Sequence, residues 1–495
     1  MTRPLLRILL AGTLFAAVAA ARAAMGPEEA RHLLSRTGFD APLAEIEASA
    51  RLTRREAIER LLAGVRREAR TPVPPIVMQW TDPRRLRDLS PEARKDFQRR
   101  LRESGLALKT WWLAEMLATD SPLTERMTLF WHNHFTSSLQ KVRSSALLQK
   151  QNALLRRHAL GSFAELLHEA AKDPAMLVYL DTARNRRGAP NENFAREVME
   201  LFTLGEGRYR EADIKEAARA FTGWSLEPAT GEYRWRPLLH DPGAKTVLGR
   251  SGEFRGEDVI DILLAQPATA EFVAAKLWRE FVSPGPANER ERAELARVAR
   301  AFRETGYNVR VALAELLQSD AFWAPENRGA LIKSPVELVV GTLRQFGFGT
   351  ADPLPFVLLA RNLGQDLFSP PNVKGWPGGE AWITSNTLLE RKQFLDRIFR
   401  VDEARMTAPM LEREMERRME RAGAEAKPMA QRLTRAVMDL QFSSREFLRP
   451  FEGRPMPATL QLVLLALPPA NDSALAGEGM ALVRALVADP VYQLK

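Results

Sequence analysis

The sequence predicts a mainly α-helical protein, a multi-helical globular array with one small β-hairpin near residues 224–236, and three observations predict it. Helix-capping patterns recur along the chain, apolar residues repeat at helical spacing behind them, and only one stretch alternates as paired strands do. Thr53-Arg54-Arg55-Glu56 is a capping-box pattern ahead of Ile58, Leu61, Leu62 and Val65, which share one helical face. Ser90-Pro91, Ser121-Pro122, Asp173-Pro174 and Ser334-Pro335 each set a capping residue before a proline at the first helical position. Gly205 and Gly223 follow apolar-periodic runs as C-terminal stops. Between Trp224 and Trp235 the alternation around Thr230-Gly231 predicts the hairpin.

The N-terminus reads as an export signal over residues 1–23. Arg3 and Arg7 provide a basic start, an apolar run leads to Ala21, and Ala21-Arg22-Ala23 has the small-x-small form of a cleavage site, so cleavage after Ala23 is expected. The stretch from Ile8 to Ala21 is about 14 residues, against the roughly 20 that a spanning helix needs. No Arg-Arg pair precedes the apolar core, which favours the general secretion route over the twin-arginine route. No later segment reaches spanning length, so no stable membrane span is expected after cleavage, and the protein should reside in the periplasm or outside the cell.

The chain has 495 residues, 45% of them apolar, enough for a substantial core. It holds no cysteine, which excludes disulfides, thiolate metal sites and lipid attachment through an N-terminal cysteine. Of 71 basic residues the signal removes Arg3, Arg7 and Arg22, leaving 68 against 62 acidic ones. The charges are interleaved, as in Glu289-Arg290-Glu291-Arg292, in the manner of solvated helix faces, so nucleic acid is not an expected partner. Thr71-Pro72-Val73-Pro74-Pro75 cannot continue a helix and separates an N-terminal helical unit (24–70) from a central helical domain (76–400) that carries the candidate site. A C-terminal helical region (401–495) begins with a charged amphipathic stretch, Glu412 to Glu420.

Four stretches can carry chemistry. In Trp131-His132-Asn133-His134-Phe135, an extended backbone would let His132 and His134 share a face and supply two imidazoles to zinc or a similar divalent metal; the alternative is a helix C-terminus where imidazolium complements the dipole. The second is Asn191-Glu192-Asn193-Phe194-Ala195-Arg196-Glu197, with Asn191 as helix cap and Phe194, Val198, Leu201 and Phe202 as the buried stripe. Glu192, Arg196 and Glu200 stand at i,i+4 spacing as an ion-pair ladder, unless Glu192 or Glu197 serves as ligand or general base with Arg196 holding an anion. In the third, His240 and Asp241 could join the earlier histidines as metal ligands or make ordinary loop hydrogen bonds. The fourth is the irregular loop from Gly364 to Gly379, where Trp376 and Trp382 beside Asn372 and Lys374 offer a stacking platform for a sugar or polymer, or else pin the loop to the core. The histidine turn, the Asn191 mouth and His240-Asp241 are expected around one cleft, where unlike polar groups can satisfy one another. There is no P-loop, no Gly-x-Ser-x-Gly elbow and no His-Glu-x-x-His, and Ser334 reads as a helix cap.

These motifs, together with Gln151-Asn152 and Leu154-Leu155-Arg156, Lys215 to Trp224, Lys333-Ser334-Pro335 with Glu337, and Pro371-Asn372-Val373-Lys374-Gly375-Trp376, resemble those of the bacterial family catalogued as domain of unknown function 1800. The resemblance spans nearly the whole chain from residue 24 to about Arg400. It implies an exported bacterial protein without an assigned activity, and it points, by association, to an exported sulfatase-like partner of the domain of unknown function 1501 family. Three function classes follow: a binding or assembly role in the cell envelope with a secreted partner or polymer, a metal-dependent hydrolase using His132, His134, His240 and a carboxylate, and a carbohydrate-binding module. The first is favoured, because no stretch matches a known catalytic geometry.

Overall fold

The computed structural model describes residues 23–82, 84, 89–400 and 439–495; the expected export signal 1–23, except for Ala23, and the charged stretch 412–420 lie outside them. Helices α1 (Gly26–Thr37), α2 (Leu43–Ala50) and α3 (Arg54–Ala63) open the fold. The Thr53 hydroxyl accepts from the Glu56 N–H while the Glu56 carboxylate accepts from the Thr53 N–H, so the capping box forms as its sequence predicts. The proline-rich seam then crosses the long helix α4 (Pro91–Ala118) and is fastened to it. Glu115 accepts from the N–H groups of Arg70 and Thr71 at 3.0 and 2.7 Å, and the Trp111 indole donates to the Thr71 carbonyl at 2.9 Å.

The central helices follow: α5 (Pro122–His134), α6 (Leu139–Val142), α7 (Ser145–Arg157), α8 (Phe163–Ala171), α9 (Pro174–Tyr179) and α10 (Asn193–Glu197). A π-turn over Val198–Thr203 continues α10, and α11 (Glu211–Ala220) ends just before Gly223, whose φ of 88° only glycine adopts without strain. The predicted hairpin pairs β1 (Trp224–Leu226) with β2 (Tyr233–Trp235), in register Trp224 to Trp235. A second ribbon, β3 (Lys245–Val247) with β4 (Arg250–Gly252), escaped sequence reading. Its strands are three residues long, and its turn is Leu248-Gly249, both at positive φ, without the Asn-Gly signal of such turns.

Helices α12 (Gly256–Ala265), α13 (Pro267–Phe281), α14 (Glu289–Glu304), α15 (Val309–Leu317) and α16 (Asp320–Trp323) stack in sequence, α13 on α14 and α14 on α15. Then come α17 (Pro335–Phe346), α18 (Leu354–Asn362), α19 (Ser385–Ile398), α20 (Ser444–Leu448), α21 (Met456–Leu464) and α22 (Gly479–Ala488). Ser334 and Glu337 form a second capping box at the start of α17. Helices α17 and α18 both pack on α4, while α21 packs on α1 and α22 on α19, so early and late segments share one apolar core that includes Met25 and Tyr492.

That core also holds charges. The Arg156 guanidinium forks onto Glu125 at 2.7 and 2.8 Å and donates to Asn152 at 2.7 Å, with both ion-pair side chains 1% exposed. Glu337 takes Arg126 at 2.5 Å and also pairs with Lys495, while Lys333 pairs with Asp40 at 2.8 Å. Every one of these buried charges therefore has an opposite partner, as burial demands.

Candidate functional site

Helix α5 does not end before its histidines. The Phe135 N–H still bonds the Trp131 carbonyl at 2.7 Å, and helical geometry turns residues two apart roughly 200° from each other. The extended, two-imidazole chelate is thereby corrected: His132 and His134 face different sides of one helix. His132 is enclosed by Trp112, Phe368 and Trp376, ring centres 5.4, 5.2 and 5.6 Å away, and neither of its ring nitrogens has a partner. Burial alone pushes its pKa down to about 3. The His134 ring lies 3.2 Å from the Phe202 carbonyl through Nε2 and 3.0 Å from the Lys276 amine through Nδ1. A carbonyl only accepts, so Nε2 carries the proton and Nδ1 accepts from Lys276. Burial, with Lys276 adding to it, holds His134 well below its ordinary pKa. Both imidazoles are thus neutral at pH 7, and imidazolium complementing the dipole is corrected as well.

The carbonyls that meet this pair come from the π-turn. Leu201 and Phe202 belong to the last turn before Gly205, whose φ is 86°, so their carbonyls have no partners within the helix. Lys276 on α13 takes the Leu201 carbonyl at 3.1 Å and His134 takes that of Phe202. π-Turns are often found at functional sites.

The helix at the Asn191 mouth begins two residues later than that asparagine. Glu192 occupies the cap position without a side-chain cap, and the Asn191 side chain accepts from the Asn193 N–H at 2.9 Å. Phe194, Val198 and Phe202 are buried and Leu201 partly so, as the stripe predicts. The expected ladder is broken. Arg196 bridges Glu192 at 3.3 Å and Glu211 at 2.8 Å, whereas Glu200 accepts from the Tyr209 hydroxyl at 2.6 Å. Burial and the neighbouring Glu200 raise the Glu197 carboxyl above its usual range.

The Asn372–Trp376 loop is clamped to the same helix end. The Asn133 side-chain oxygen accepts from the Trp376 N–H at 2.7 Å. Gly375 sits at φ 85° with no room for a Cβ, which would fall on that oxygen and 2.8 Å from the Asn133 carbonyl. Trp376 and Trp382 are 4% and 6% exposed, so their rings hold the loop against the core and present no open face to solvent. Asn372 and Lys374 are exposed; Asn372 turns the loop by accepting from the Lys374 N–H at 2.9 Å, and Lys374 pairs with Glu206 at 2.8 Å, just past the π-turn.

His240 and Asp241 meet a different neighbour. Nδ1 of His240 lies 3.0 Å from the Thr222 carbonyl, and Arg219 at 2.8 Å helps hold Asp241 down to about pKa 2. They are tied to the Asn191 mouth through Asn185, which accepts from the Asn191 N–H at 2.9 Å and, by its carbonyl, from Gly223 at 3.1 Å; Arg187 in turn donates to the Leu239 carbonyl at 2.7 Å. Two groupings result. The Asn191 mouth joins the His240 stretch, and the π-turn that follows α10 joins His134, Lys276 and the Lys374 loop. Among the described residues no three histidine or acidic side chains come together closely enough to hold a metal ion. Sequence reading missed Lys276, whose only signal was a lysine standing between Val273 and Leu277 in the inward stripe of α13.

Residues 32–494 match the family model described as "Protein of unknown function (DUF1800)". The chain belongs to this family. No curated protein and no solved structure matches it. Within this member, motif after motif holds buried structure: Gln151 donates to Asp173, Arg156 pairs with Glu125, Lys333 with Asp40, and Glu337 with Arg126.

Proposed function

We propose that this member of the family is an exported protein of the periplasm or cell exterior that binds, or helps assemble, a secreted partner or polymer in the cell envelope. The observation that supports this reading is the junction of α5, the π-turn and the Asn372–Trp376 loop. Three segments far apart in sequence are locked together there, the loop by the Trp376 N–H on Asn133 and the π-turn by His134 on the Phe202 carbonyl, and the rim they raise is polar: Lys374 with Glu206, Arg196 with Glu192 and Glu211, and Glu200 with Tyr209. A rim already ordered before binding loses little side-chain freedom on docking, which suits recognition of a polar, charged surface.

The exported sulfatase-like proteins associated with the family are the first partner to test. Titration calorimetry of the full chain against such a protein should give binding that Lys374→Ala and Arg196→Ala each weaken about ten-fold, a loss of about 1.4 kcal/mol. No heat of binding, or unchanged affinity in both variants, overturns the proposed surface. Stoichiometric zinc, manganese or calcium in purified protein would instead favour the hydrolase. Export is tested separately, by the mass of the protein from its native host: retention of Leu5 to Ala21 would defeat it.

A further inference from the structure

Among the described residues Leu238 is the most exposed large apolar side chain, with 94% of its surface open. It sits in a single 3-10 turn, Pro237–Leu239, just past the end of β2, and none of the turn's three residues is buried. Backbone bonds hold this turn against a second exposed loop, residues 184–190. The Arg187 N–H donates to the Leu239 carbonyl at 2.7 Å. At the base of both segments Gly223 donates to the Asn185 carbonyl at 3.1 Å and accepts from the Arg236 N–H at 2.9 Å. The loop closes on itself where the Ala189 N–H meets the Arg186 carbonyl at 2.9 Å, with Gly188 at φ 79° between them.

That loop carries three exposed arginines, Arg184, Arg186 and Arg187, and among the described residues none of them has an ion-pair partner. The acidic residues nearest along the chain are engaged by other cations: Asp181 by Lys141 at 2.6 Å, Glu192 by Arg196 at 3.3 Å and Asp241 by Arg219 at 2.8 Å. Three uncompensated positive charges therefore stand within a few residues of a projecting leucine, on a backbone that is already ordered.

Positive charge of this kind calls for a negative surface, and the shape of the apolar part decides which one. A stable protein interface buries about 800 Å² on each side around a broad apolar centre. Here the apolar part is one short turn that projects, with no recess or wide face beside it. A projecting leucine flanked by arginines suits a lipid interface, where the leucine enters the headgroup boundary and each guanidinium meets phosphate oxygens.

We propose that loop 184–190 and the Pro237–Leu239 turn form a peripheral docking surface for an anionic phospholipid bilayer. The patch shares no residue with the rim at Lys374, so each reading can fail alone.

The test is co-sedimentation of the full chain with vesicles of phosphatidylcholine containing phosphatidylglycerol, against vesicles of phosphatidylcholine alone. Binding should require phosphatidylglycerol and fall as salt is raised. Replacing Arg184, Arg186 and Arg187 together by glutamine should weaken it about 100-fold, at about five-fold for each arginine near the surface. Leu238→Ser should weaken it about ten-fold. A control that replaces the exposed Lys95, Arg102 and Lys392 by glutamine removes the same charge elsewhere and should bind as the parent does. Equal binding to both vesicles, no binding to either, or a control weakened as much as the loop variant overturns the proposal. Loss of an acidic envelope protein from the loop variant, with vesicles unbound by the parent, would overturn it in favour of a protein occupant.

Discussion

Replacing Arg156 with methionine should expose the energetics that hold the centre of this fold. The guanidinium makes three bonds, two to Glu125 at 2.7 and 2.8 Å and one to Asn152 at 2.7 Å, and it leans over the Trp111 ring at 5.5 Å. Methionine fills much of the space but leaves the Glu125 carboxylate, 1% exposed, with only the Trp112 indole N–H at 2.8 Å. Removing one partner of a buried pair costs about 3–5 kcal/mol, because the remaining charge is desolvated and unpaired. With an unfolding entropy of roughly 2.1 cal/mol/K per residue and one cooperative unit, each kcal/mol moves the Tm of a chain this long by about 1 °C, so a fall of about 3–5 °C is expected. Differential scanning calorimetry measures it directly. The double variant Glu125→Gln with Arg156→Met removes the stranded charge, keeps an amide oxygen for Trp112, and should recover at least about half of the loss. A fall below about 1 °C in the single variant, or a double variant less stable than the single, would refute the account.

Asp173 gives a pH prediction of defined sign. Its carboxyl is buried and pushed up from 3.8 to about 7, so the folded state prefers it protonated; the resulting destabilisation is absent below pH 3.8, grows as pH rises and is complete above about 7, amounting to about 4 kcal/mol. Asp173→Asn keeps the oxygen that accepts from Met176 and Gln151, so its Tm should exceed that of the parent at pH 8 and match it near pH 4; equal Tm values across the range refute the assignment. His132 has the opposite sign: its folded pKa is depressed to about 3, so stability present above 6.5 is lost as pH falls toward 3, and His132→Leu should gain on the parent from pH 7 to pH 4 in the same melting assay. A difference between the two that stays flat with pH would rule this out. Gly375→Ala should detach the Asn372–Trp376 loop from Asn133 at a cost of about 1–3 kcal/mol, read as faster proteolysis near Lys374; unchanged cleavage would mean that the clamp does not hold the loop.

The elements legible in the sequence are those whose signal is local. Thr53 with Glu56 and Ser334 with Glu337 encode their helix starts within four residues, and the hairpin announces itself by alternation and a Thr-Gly turn. At α5 local reasoning fell short. Whether His132 and His134 shared a face depended on one further turn of helix, and packing decided it: Trp131 and Phe135 are both buried, so the helix runs on past the point where a chelate would require it to end. The stretch from Gly364 to Gly379 was readable as irregular, but the direction of Trp376 was not, since it is set by a hydrogen bond to Asn133, 243 positions away. Lys276 was invisible for the same reason. A lysine in an apolar stripe gains meaning only when the two acceptors that meet it, from α5 and from the π-turn, are known.

The motifs that identify the family therefore divide by what they touch. Gln151, Arg156, Lys333 and Glu337 meet buried partners, and their identities are dictated by the need to leave no charge unpaired inside the core. Asn133, His134 and Gly375 are different, because their contacts hold the loop and the π-turn against the end of α5. A fold that needed only stability could dispense with a clamp between α5 and an exposed lysine loop. Its presence beside Lys276, which donates to His134 and to the Leu201 carbonyl, makes the junction of α5, the π-turn and α13 the place where this molecule's chemistry should be sought first.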